Sequence, residues 1–169
     1  MYKRQSVFFL KLDKEDLNEK FIYFSYVMNA PQGSTLTGGL PSDGKVYEFR
    51  SFKKDKIGLY QINTSYIKGD ETNNIARSSI TNITEAFVEV FKPTARTEDS
   101  VLINLNSIIL SEKMDSISYV PSEYREYISV DYGRPDEAKT FVKNIYNNKT
   151  NTAFEAVSYT HLRAHETIL

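Results

Sequence analysis

Alternating apolar and polar positions dominate the first half of this chain, and that period predicts strands. In "VFFLKLDKEDL", Phe8, Leu10 and Leu12 fall on one face, and Phe9, Lys11 and Asp13 on the other. After the polar stretch "DKEDLNEK", "FIYFSYVM" (Phe21–Met28) is apolar on both faces, as expected of a strand near the centre of a sheet. "NAPQGSTLTGGLPSDG", with two Pro and four Gly, predicts a loop over Asn29–Gly44. "KVYEFRSF" and "KIGLYQIN" then predict a hairpin closed by "KKDK".

The period changes in "DETNNIARSSITNITEAF", where Ala76, Ile80, Ile83 and Phe87 recur at helical spacing. Asp70 to Thr72 offer a cap and an acidic first turn, so one amphipathic helix is expected over Asn73–Ala86. "FVEVFKPTA" and "SVLINLNSI" return to strand, with Val101, Ile103 and Leu105 facing one way and a second hairpin turning at "ARTED". Beyond Ser111 the pattern weakens, and a short helix fits "PDEAKTFVKNI". The order β-β-β-β-α-β-β predicts an α+β fold: mainly antiparallel sheet with one principal helix.

The two ends read differently from the rest. If Met1 is a GTG start and Tyr2–Gln5 are TAT AAG AGA CAG, the complementary strand is CTG TCT CTT ATA CAC. Read two bases in, that strand encodes Val-Ser-Tyr-Thr and the first base of His, which are Val157 to His161. The pair resembles the transposase-end adapter of sequencing libraries. Residues 1–5 and 157–169 are therefore expected to be adapter-derived, leaving 6–156 as a single native domain, a piece of a longer chain.

That subtraction changes the chemistry. Removing Lys3, Arg4 and Arg163 from 21 basic residues leaves 18; removing Glu166 from 22 acidic residues leaves 21. The native net charge is then about −3, with no basic field to hold nucleic acid. Both histidines, His161 and His165, fall in the trimmed end, and the chain has no cysteine. The native segment thus lacks imidazole and thiol for metal ligation, for a Ser-His-Asp or Cys-His pair, or for an imidazole base. Catalysis would rest on carboxylates, Lys, Tyr or hydroxyls. No apolar run approaches the roughly 20 residues that span a bilayer. Ten Phe and twelve Tyr, without Trp, supply material for a packed core.

Five features of the chain are candidate sites. "GLPSDGKV" (Gly39–Val46) resembles a phosphate-binding loop but ends in Val46 where a hydroxyl should hold Mg²⁺, and a strand rather than a helix follows. A turn at Asp43-Gly44 is the better reading. The carboxylates Asp13, Glu15, Asp16 and Glu19 would suit glycosidic chemistry, yet their Lys-interleaved setting is that of a solvated turn. Tyr119, Tyr124, Tyr127 and Tyr132 crowd into a Pro-bearing region, where aromatics bind sugars or peptides, pack at a sheet edge, or meet another domain. Arg77 on the expected helix is either a structural charge or an exposed one. Sequons occur at Asn63, Asn82 and Asn148 and are discounted for want of any sign of a eukaryotic secretory context.

Taken in order, "LKLDKEDLNEKFIYFSYVMNAPQG", "GGL", "KVYEFRSFKKDKIGLYQINTSYI", "IARSSITNITEAFVEVFKP" and "VLINLNSIILSE" resemble the N-terminal domain of unassigned function found before the catalytic domain of a group of bacterial zinc-dependent metalloproteases. The likeness covers most of residues 6–110 and rests on order and spacing. Asn104 and Asn106 stand where that group tends to have Asp and Thr.

The resemblance implies a non-catalytic accessory domain whose partner is the parent's own peptidase domain, in a secreted or envelope protein. It implies zinc in the parent, on an H-E-x-x-H type helix downstream; no cofactor is expected within this segment. The alternatives from the residues alone are a free-standing β-rich module binding carbohydrate or peptide and, last, a carboxylate-based hydrolase.

Overall fold

The computed structural model describes residues 7–29, 44–64, 85–111, 113–114, 131–135, 139–157 and 160–163, with backbone alone at 131–135 and 160–163. A four-stranded sheet is centred on a hairpin of β3 (Lys45–Phe52) and β4 (Lys56–Ile62). Its antiparallel register runs from Val46 opposite Ile62 to Phe52 opposite Lys56. Lys53 turns the chain with φ of 51°, in the left-handed region, as the expected "KKDK" connection requires.

β2 (Lys20–Tyr23) and β5 (Ala86–Phe91) flank this hairpin, giving an antiparallel sheet ordered β2-β3-β4-β5. Period-two alternation separates its faces. One face carries Tyr47, Phe49, Ile57, Leu59 and Phe91, all buried. Phe21 stacks on Phe49 at 5.4 Å and on Tyr47 at 6.0 Å, while Phe49 meets Phe91 at 6.2 Å. Burying each of these large side chains stabilises the fold by about 1.5–3 kcal/mol relative to exposure.

A smaller sheet, ordered β1-β7-β6, is built from β1 (Phe9–Asp13), β6 (Ala95–Arg96) and β7 (Ser100–Asn104). Val101 and Ile103 of β7 and Leu12 of β1 are its buried residues, on the faces expected from alternation. Leu105 N–H donates to Phe8 C=O and Lys14 N–H to Asp99 C=O, which sets β1 and β7 antiparallel.

The chain divides into two compact units. The one formed by Leu10–Phe24 and Asp43–Ile103 holds the four-stranded sheet and most of the smaller one. In the other, a four-residue helix α1 (Asn106–Ile109) follows β7, with Ile108 buried. That unit also holds one hairpin, β9 (Phe141–Asn147) with β10 (Thr152–Val157), and an antiparallel pair of β8 (Asp131–Pro135) with β11 (Thr160–Arg163), between which β9 and β10 intervene in the chain. The pairing of Thr160–Arg163 is a fact of backbone geometry and leaves the origin of those codons untouched.

Four expectations are corrected or bounded. β2 is an outer strand of its sheet among the described residues, not a central one. Phe21 and Tyr23 turn inward, whereas Ile22 is 71% and Phe24 57% exposed. The helix expected at Asn73–Ala86 lies outside the described residues except for its last two positions, and Ala86 opens β5. Among the described residues helix is confined to α1 and a 3-10 turn at Lys14–Asp16, so a principal amphipathic helix has no support.

The segment "PDEAKTFVKNI" does not form the short helix that its spacing allowed, because Phe141–Ile145 are strand in β9. β-branched and aromatic residues at Phe141, Val142, Ile145 and Tyr146 favour strand, and Thr152–Val157 provides the partner. The turn at "ARTED" does close a hairpin, but its first arm is the short β6; β5 belongs to the larger sheet. Thr97 shapes this turn, its Oγ1 lying 2.9 Å from Ser100 Oγ and accepting from Ser100 N–H.

Candidate functional site

Two residues apart on a strand means the same face. On β3 that rule places Glu48 and Arg50 together, on the side of the sheet opposite the aromatic core face. Arg50 donates from Nε to Glu48 Oε1 at 2.5 Å and from Nη2 to Glu48 Oε2 at 3.2 Å. Its Nη1 donates to Glu85, which stands immediately before β5. Glu48 is 5% exposed, so a carboxylate there needs this charge partner. The two glutamates, Glu48 first, hold the guanidinium even more firmly protonated than usual.

The same face carries an aromatic cluster. Arg50 lies over the Tyr60 ring at 4.9 Å; Tyr60 meets Phe87 edge-on at 4.9 Å, and Phe87 meets Phe52 at 5.1 Å. Gly58 sits directly across from Arg50 and makes room for these rings. A Cβ there would come within 2.8 Å of Tyr60 Cε2 and 3.0 Å of Phe87 Cε2. One guanidinium between two carboxylates, capped by a phenol ring, is a clamp joining β3 to the start of β5. Bidentate geometry gives it directional strength.

At the end of the same sheet lies a cavity of about 330 Å³, lined by Gly44, Lys45, Val46, Gln61, Ile62, Asn63, Thr64 and Ala86. Lys45 and Val46, the last positions of the phosphate-loop-like stretch, open β3, which agrees with the turn-into-strand reading. Gly39–Asp43 lie outside the described residues.

The acidic stretch behaves as a solvated turn. Asp13 N–H donates to Asp16 Oδ2 at 2.7 Å, and Lys11 pairs with Asp13 at 2.7 Å. That contact raises the Lys11 ammonium above its ordinary value. Glu15 and Glu19 are exposed. Among the described residues no group of three or more His, Cys, Asp or Glu side chains is arranged to hold a metal ion.

Of the residues singled out from sequence, Tyr119, Tyr124, Tyr127 and Arg77 lie outside the described residues. Tyr132 is in β8, where its backbone stands opposite Leu162 of β11. Asn82 is also outside; Asn63 borders the cavity; Asn148 sits in the β9–β10 turn, where its Nδ2 donates to Asn151 Oδ1 at 2.7 Å. Asn104 and Asn106 each have a structural partner, near in the chain for the first and distant for the second. Asn104 Oδ1 accepts from Asn106 N–H at 2.9 Å, and Asn106 Oδ1 accepts from Phe8 N–H at 2.8 Å.

The Glu48–Arg50–Glu85 clamp was missed from sequence. The pair on β3 was legible as Glu-x-Arg within an alternating strand, but Glu85 is 35 residues from Arg50 and no local pattern announces it. No protein-family model, curated protein or solved structure matches this chain.

Proposed function

We propose that the segment 6–156 is a non-catalytic accessory domain of a bacterial zinc-dependent metalloprotease, acting by packing against the peptidase domain of its own parent chain. The observation that supports a contact role is the outer strand β2. It turns Phe21 and Tyr23 inward and leaves Ile22 and the Phe24 that follows it 71% and 57% exposed. Large apolar side chains left in water at a sheet margin are the ordinary material of an interface.

The described parts of the segments that carry the resemblance lie in β1, β2, the β3–β4 hairpin, β5, and then β7 with α1. In this reading zinc and peptide hydrolysis belong to a domain downstream, and the tyrosines Tyr119, Tyr124, Tyr127 and Tyr132 contribute further contact surface. The parent is placed outside the cytoplasm or in the envelope, as the resemblance implies.

The test is a peptidase assay on residues 6–156 alone, with and without added zinc. No turnover above buffer is expected in either condition. Peptide hydrolysis that disappears in Glu48→Gln or Glu85→Gln, with folding retained, would overturn the proposal in favour of carboxylate chemistry.

A further inference from the structure

We draw no further inference here: the strongest candidate, the cavity of about 330 Å³ at the end of the four-stranded sheet beside Gly44–Val46 and Gln61–Thr64, sets Lys45 among neutral amides, a hydroxyl and aliphatic carbons and so selects no one ligand chemistry.

Discussion

Gly58 shows how one residue can hold two demands together. Arg50 must reach both glutamates, and three aromatic rings must close over the same spot, so the position opposite Arg50 has no room for a side chain. Gly58→Ala is expected to lower the unfolding free energy by about 1–3 kcal/mol through overpacking against Tyr60 and Phe87. Urea denaturation checks it; an unchanged midpoint would show that the rings move aside freely. A second prediction concerns charge at Glu155. Lys143 at 2.6 Å, then Asn144 at 2.5 Å, hold its carboxyl below the ordinary glutamate range. A depressed folded-state value means that the contribution to stability is present above the unfolded value and lost as pH falls through the folded one. In a ¹³C carboxyl titration, Glu155 should therefore titrate below a free glutamate, and Lys143→Ala should move it upward. No change on that substitution would sink the assignment.

At the scale of elements, the pattern of hydrophobic positions was most informative where a strand has one wet and one dry face. Val101 and Ile103 on β7, and the β3–β4 hairpin with its charged turn, follow directly from alternation. β2 stands at the margin of its sheet among the described residues rather than at the centre, because an apolar run on both faces also fits an outer strand that leaves Ile22 in water. "FVKNI" misled for a related reason: Phe141, Val142 and Ile145 satisfy helical spacing as well as strand. The decision rests with Thr152–Val157, which the turn at Asn148–Asn151 brings alongside. That partner strand lies across the turn, outside the stretch "PDEAKTFVKNI" whose own spacing allowed a helix.

Asn104 and Asn106 contrast a near partner with a distant one. They looked like departures from a family pattern, yet the first accepts from the helix start and the second fastens Phe8. Asn106→Ala should cost about 1 kcal/mol and speed hydrogen exchange at the Phe8 amide. Asn104→Asp, which keeps the acceptor, should leave the thermal midpoint nearly unchanged. Equal losses in both variants would contradict these roles.

Across the whole molecule, the described residues form antiparallel sheets in two compact units, and among them no helix is long and apolar enough to cross a membrane. The larger sheet is asymmetric: an aromatic core on one face, a charge clamp on the other, and apolar side chains standing out from its outer strand. Sequence could not show the clamp, because its third member is separated from the other two by the connection between β4 and β5. Whether imidazole is available to this domain depends on whether the codons for His161 and His165 are native, and the proposed contact role depends on a peptidase domain encoded beyond residue 156. A single unbroken genomic read across this locus measures both. The predicted result is departure from this sequence near Val157, with the frame continuing into an H-E-x-x-H motif. Reads running intact through the codons of Val157–Leu169, or a stop codon soon after Ala156, would contradict it.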